Sequence, residues 1–271
     1  MLLKNKNAVI FGGGGAIGGA VARVFAREGA RVFICGRTQA KLDGVAADIT
    51  VAGGMVETAL LDAFDQRAVE EYTISIASKC GGIDIALNAV SVMHDQGTML
   101  ENLSLDEFMK PIDGFLRTLF ITSKAVVRHM GAKRPGVILT LSSTGSQMAA
   151  PGCLGHCVTC AGKEAFSRVL AAELAPKNIR VICLRPIAIA DAPAAGSYTK
   201  DLFKTQTSYK ESADNQPVRE WLPDSPMAQS TLLKRLPTLS EVAETAAFLA
   251  SDRAGAMTGT VVNLSCGAVV D

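Results

Sequence analysis

Apolar residues fall in short runs of strand length, separated by stretches in which they recur every third or fourth position. Ala8 to Phe11, Arg31 to Cys35, Val56 to Leu61, Ile83 to Ala89, Val137 to Leu141, Ile179 to Leu184 and Thr260 to Leu264 read as strands. Between them, Ile17, Val21, Val24 and Phe25 mark one face of a helix. Further helices are expected over Ala40–Ile49, Gln66–Ser78, Leu105–Met130 and Leu154–Leu174, with Pro111 and Gly114 expected to make the first turns of the fourth irregular. The alternation predicts an α/β fold: a doubly wound parallel sheet of about seven strands covered by helices on both faces. Ligands of such sheets bind at the carboxyl ends of the strands. Only 192–231 breaks the alternation. This stretch is rich in Ser, Thr, Lys, Gln and Pro and reads as a mobile or partly helical lid over a substrate. It carries Trp221, Tyr198 and Tyr209, which suits a moderately bulky, partly apolar molecule.

The first strand breaks into four glycines, Gly12 to Gly15, which lead directly into the first helix. Glycines permit a tight turn and let backbone approach a phosphate, while the helix N-terminus offers free N–H groups and the positive end of its dipole. Composition narrows the partners. With 271 residues, 48% of them apolar, and a net charge of +1, the chain can bury a large core and has no electrostatic case for nucleic acid or an anionic membrane. Arg23 and Arg27 interrupt the longest apolar stretch, so no membrane helix is expected, and the opening Met-Leu-Leu-Lys-Asn-Lys-Asn lacks the long apolar segment of a secretory signal. Seven cysteines, with Cys35, Cys183 and Cys266 in or beside apolar runs, fit reduced thiols and a cytoplasmic location.

Over essentially its whole length the chain resembles the short-chain dehydrogenase/reductase family. Gly12 to Gly18 looks like the family's Thr-Gly-x-x-x-Gly-Ile-Gly, with Phe11 for Thr and Ala16 for the middle Gly. Asp62 sits where the family's acidic residue meets the adenine, Leu87-Asn88-Ala89-Val90 looks like Asn-Asn-Ala-Gly, and Ile138 to Ser143 resembles the strand ending at the catalytic serine. Arg168 through Pro186 and Met257-Thr-Gly259 also match family stretches. The resemblance implies a single Rossmann-type domain over 1–271 and a dinucleotide held by Gly12, Gly14, Gly15, Ile17, Gly18, Asp62, Ala63, Asn88, Ala89, Pro186 and Ile189. It also implies a homodimer or homotetramer associating through the fifth helix and the final strand, with Ala161, Gly162, Ala165, Ala171 and Ala172 allowing close approach. The second strand ends Cys35-Gly36-Arg37-Thr38, with no carboxylate for a ribose 2′-hydroxyl and a guanidinium able to fork a 2′-phosphate. That favours NADP(H) over NAD(H).

On the catalytic helix the chain departs from the family. Aligning Arg168 and Ala172-Glu173-Leu174 puts the proton-transferring Tyr position on His156 and the Lys position, four residues on, on Cys160. The supporting Asn falls near Phe115, and only Ser143 is retained. The loop after the sixth strand reads Pro186-Ile187 instead of Pro-Gly, and the family's Thr near the nicotinamide becomes roughly Asp191. Imidazole, with an ordinary pKa of about 6.5, can exchange a proton at neutral pH without a lysine to tune it, so Ser143 and His156 are the catalytic candidates. Lys163 reads as a solvated helix charge, His129 as a charge at a helix C-terminus, and His94 as either a group near the reaction or a surface residue. No metal is expected: Cys157 projects about a quarter turn from His156, so Cys153, His156, Cys157 and Cys160 cannot close a tetrahedron from one helix. A His156–Cys160 thiolate and plain packing of small cysteines both remain open. The leading expectation is an NADP(H)-dependent oxidoreductase acting on a carbonyl or alcohol of a small molecule. The alternatives are a non-redox proton-transfer enzyme on the same fold, or a catalytically silent dinucleotide-binding or scaffold protein.

Overall fold

The computed structural model describes residues 1–131, 135–197 and 225–270. Its strands are β1 (Asn7–Phe11), β2 (Arg31–Gly36), β3 (Met55–Leu60), β4 (Ile85–Asn88), β5 (Gly136–Leu141), β6 (Ile179–Pro186) and β7 (Thr260–Leu264). They form one parallel seven-stranded sheet in the order β3-β2-β1-β4-β5-β6-β7. Period-two alternation sorts the core. In β1, Ala8 and Ile10 pack with Val21, Phe25, Leu42 and Ala246 on one face of the sheet, while Val9 and Phe11 pack with Val69, Ile121 and Leu174 on the other. Helices α1 (Ala16–Arg27) and α2 (Gln39–Val51) lie on the first face, and α3 (Gln66–Cys80), α4 (Leu105–Val127) and α5 (Leu154–Leu174) on the second. The sheet is doubly wound, and its order reverses between β1 and β4, where the crevice opens.

Three expectations need correction. The pattern misses a helix after 192–231: α7 (Leu239–Ala250), packed on α1 and closed by a capping box in which Thr238 accepts from the Glu241 N–H while Glu241 accepts from the Thr238 N–H. The signal was present as Thr-x-x-Glu. Second, α4 runs unbroken through Pro111 from its N-cap Ser104, and the ring packs on Gly155 of α5, where a Cβ would stand 3.1 Å from Pro111 Cγ. Third, Ala171 is buried against the sheet and is not available to a partner, whereas Ala161, Ala165 and Ala172 are exposed. Most of the stretch expected to form a lid, with Tyr198, Tyr209 and Trp221, lies outside the described residues. At its described edge a single-turn helix, α6 (Pro226–Ser230), is capped by Ser225. All seven cysteines are free, and no described helix is long and apolar enough to cross a membrane.

Candidate active site

A cleft of about 600 Å³ runs along the carboxyl ends of the strands. One end is built from glycine. Gly12 takes φ +80°, and a Cβ on it would stand 2.4 Å from the Ala89 carbonyl oxygen, so this turn can be made only without a side chain. Gly12 and Gly13 donate to the Cys35 carbonyl, tying the turn to β2. Helix α1 follows with Gly15 at its N-cap, no side-chain cap and no acidic residue in its first turn. Its leading N–H groups and positive dipole end are left for an anion. Gly12, Gly14, Gly15 and Ile17 line the cleft. Gly18 does not; it is buried beneath the turn, where a Cβ would lie 2.3 Å from the Gly12 oxygen, so it serves by close packing.

Arg37, Thr38 and Lys41 follow β2 along the same wall, and the Arg37 side chain makes no ion pair among the described residues. Asp62 and Ala63 line the cleft beyond β3, with Asp62 accepting from the Phe64 N–H at 3.1 Å. Ala89, Pro186 and Ile189 also line it. Asn88 does not. Its amide donates to Thr122 Oγ1 at 2.9 Å and its carbonyl accepts from the Val90 N–H at 3.2 Å, so it fixes β4 against α4. Asp191 likewise works in the scaffold, accepting from the Leu239 N–H at the start of α7.

At the other end stand Ser143, just past β5, and His156, in the first turn of α5. They share the cleft, but the imidazole's hydrogen bonds go elsewhere. His156 Nδ1 lies 3.1 Å from His94 Nε2, and His156 Nε2 lies 3.6 Å from Cys160 Sγ. His94 Nδ1 in turn lies 2.7 Å from the Val92 carbonyl oxygen. The partners assign the protons. A carbonyl can only accept, so His94 carries its proton on Nδ1, and its single Nε2 lone pair is shared between His156 Nδ1–H and the Gln96 amide at 3.0 Å. His156 Nε2 is then left with a lone pair, toward which the Cys160 thiol can donate. Gly145 provides the seat, since a Cβ there would stand 2.9 Å from His156 Cδ2.

Electrostatics agree with that chain of neutral groups. Burial, then the neighbouring His94 and the Lys163 ammonium, push the His156 imidazole down to about 3. Burial lowers His94 as well and raises the Cys160 thiol to about 11. At neutral pH the site holds two neutral imidazoles and a thiol, so the His156–Cys160 pair is not a resting thiolate. His129 is half-buried beside Arg128 and its pKa is lowered by burial, which corrects its reading as a charge at the end of α4. Lys163 is also not a solvated charge: it turns into the cleft, with Nζ 4.5 Å from the Phe115 ring centroid. Among the described residues the cleft lining contains no tyrosine, and no cluster of three or more His, Cys, Asp or Glu is placed to hold a metal ion.

Sequence reasoning missed the frame behind these groups. Glu164 and Arg185, both buried, form a two-bond ion pair, with Nε to Oε1 at 2.8 Å and Nη2 to Oε2 at 2.9 Å. Ser142 and Ser146 donate to the same carboxylate, at 3.0 and 2.5 Å. The two serines flank Ser143, so one buried carboxylate clamps the loop that presents Ser143 between α5 and β6. The signal was a lone Arg inside the apolar Ile182 to Pro186 run.

Residues 6–202 match the short chain dehydrogenase family. The chain is 31% identical to a 3-oxoacyl-(acyl-carrier-protein) reductase FabG of Chlamydia muridarum over 267 residues, 98% of each chain. It is 27% identical to the FabG of Thermotoga maritima, covering 100% of both. Among solved structures, a double mutant of the Serratia marcescens short-chain dehydrogenase/reductase superposes with a TM-score of 0.80 at 25% identity, over 100% of both chains. The glycine turn at a switch point of a parallel sheet, the serine past β5 and this likeness over the full length agree: the chain belongs to the short-chain dehydrogenase/reductase family.

Proposed function

We propose that this protein is an NADP(H)-dependent oxidoreductase acting on a carbonyl or alcohol of a small molecule, with His156 exchanging the proton in place of the family's tyrosine. The observation that carries this reading is that one continuous cleft joins an uncapped helix N-terminus and Arg37, which makes no ion pair among the described residues, to the Ser143–His156 end. The glycine cradle fits a pyrophosphate, because side chains at Gly12 and Gly18 would collide with backbone the turn itself brings close. Arg37 and Thr38, without a carboxylate beside them, fit a 2′-phosphate. A bound nicotinamide dinucleotide would supply the hydride acceptor or donor.

The chain's own residues do the rest. Ser143 Oγ, which makes no hydrogen bond among the described residues, is free to hold the substrate oxygen. His156 Nε2, with its lone pair fixed by His94, can accept the proton of an alcohol; in the reverse direction an imidazolium would donate it. Cys160 occupies the lysine position, so no ammonium is available there to hold ribose.

The same reading extends to assembly as a homodimer or homotetramer in the cytoplasm. Supporting it, Leu105, Met109 and Phe120 on α4, and Leu154, Val158 and Val169 on α5, form exposed apolar stripes beside the exposed Ala161, Ala165 and Ala172.

The test is a thermal-shift titration with NADP(H) and NAD(H), followed by turnover of a carbonyl panel by the parent and by His156→Ala. A shift with NADP(H) and turnover lost in the variant support the reading. Binding without turnover would favour the non-redox alternatives, and no binding at all would favour a scaffold.

A further inference from the structure

Lys163 is a cation whose one partner among the described residues is the face of the Phe115 ring, 4.5 Å from Nζ. It lies on α5 less than a turn beyond Cys160, and its amine faces the cleft but makes no hydrogen bond or ion pair among the described residues. The carboxylate beside it in sequence, Glu164, is already held by Arg185, Ser142 and Ser146. Among the described residues the titratable groups facing the amine are Cys160 and His156 on its own helix, His94 after β4, and Cys183 on β6; α4 contributes the Phe115 ring. None of them is anionic at neutral pH, since burial raises both thiols and lowers both imidazoles. Burial also lowers the pKa of Lys163 itself. Lys163 is half-buried, and the Phe115 face offsets only part of the cost of holding an ammonium among neutral groups; a bound anion offsets more.

Among the described residues the other charged groups lining the cleft are Arg37, Lys41 and Asp62, all past β2 and β3 at the glycine end. Lys163 is the one charged lining residue described at the imidazole end, with Asp95 and Lys110 acting on His94 from outside the lining. Its Cα is about 10.5 Å along the helix from that of His156, and its stem leans back toward the helix N-terminus. A short molecule can therefore reach both groups.

We propose that Lys163 is an anion-binding subsite for a carboxylate that the substrate carries within two or three bonds of its reacting carbon, which makes the substrate class short oxo acids and their hydroxy acids. A single ammonium among apolar neighbours matches a singly charged carboxylate better than a dianionic phosphate. The proposal rests on the oxidoreductase reading for the reacting carbon, and its test does not depend on turnover.

Acetoacetate and its methyl ester are titrated calorimetrically into protein saturated with NADP+, which has no hydride to give. The acid should bind at least tenfold more tightly than the ester. Lys163→Met should abolish the preference while ester affinity stays within twofold. Equal affinity for acid and ester, binding of neither, or an acid preference that survives Lys163→Met would overturn the proposal. So would a tenfold loss of NADP+ affinity in Lys163→Met with the acid preference unchanged, since the amine would then serve the dinucleotide. A protein that binds the acid through Lys163 yet reduces no carbonyl would sink the oxidoreductase reading and leave this subsite standing.

Discussion

His156 donates from Nδ1 to Nε2 of His94 across 3.1 Å, with the two ring planes within 5° of each other. Because the far nitrogen of His94 is committed to the Val92 carbonyl, the bond can run in only one direction while both rings are neutral. His94 therefore decides which nitrogen of His156 is free.

Removing that constraint should cost turnover more than binding. His94→Ala is expected to lower kcat by about 10- to 100-fold, the loss seen when the hydrogen-bond partner of a metal-bound imidazole is removed, with KM changed little. His94→Gln, which can still accept through its carbonyl, should recover part of the loss. Nitrogen shifts of the labelled His156 ring should show a mixture of tautomers in His94→Ala and one tautomer in the parent. An unchanged tautomer would argue against His94 as the positioning residue.

The lowered pKa values set a pH dependence. Unfolded histidine titrates near about 6.5, whereas folded His156 is lowered to about 3 and His94 is lowered too. Between these values the unfolded chain binds more protons, so stability is highest above about pH 6.5 and declines as pH falls toward about 3. Urea midpoints should drop between pH 7.5 and pH 5, and more weakly in His156→Asn. Activity divides by direction. Alcohol oxidation needs neutral His156 and should keep its rate on the acid side, while carbonyl reduction needs the imidazolium and should quicken as pH falls.

Arg37 tests cofactor choice. One charge-assisted hydrogen bond is worth about 1.5–3 kcal/mol, so Arg37→Ala should weaken NADP(H) about 10- to 100-fold and leave NAD(H) within a few-fold. Equal losses for both dinucleotides would remove the argument for a 2′-phosphate site. Equilibrium binding by nucleotide fluorescence measures both.

Arg185 tests the frame. Arg185→Met leaves the Glu164 carboxylate buried with only two serine hydroxyls among the partners described above. The expected loss is about 3–5 kcal/mol of unfolding free energy in denaturant titrations. Adding Glu164→Gln removes the stranded charge and should restore part of it. Failure of the double variant to recover would mean that the arginine matters for packing alone.

The sheet was legible because its signals are local. Alternation of Ala8, Val9, Ile10 and Phe11 between two faces, and glycines at a strand-to-helix junction, can be read within a dozen residues. The register on α5 singled out His156 and the Ile138 to Ser143 stretch singled out Ser143, and both line one end of the cleft. The partners of those groups could not be read, because they depend on distance in space. His94 is 62 residues before His156, and Arg185 is 21 after Glu164. Lys163 was misread for a related reason: a charged residue on a helix is ordinarily solvated, and only the walls built by Phe115, Cys160 and Cys183 make it otherwise.

The Glu164 clamp has an implication for how such a site changes over time. None of its members is among the groups proposed to exchange protons, so the platform under Ser143 does not depend on which side chains perform the chemistry. Ancestral side chains facing the substrate could be replaced one by one without loosening that platform, and a protein so built can explore new reactions while its architecture stays put.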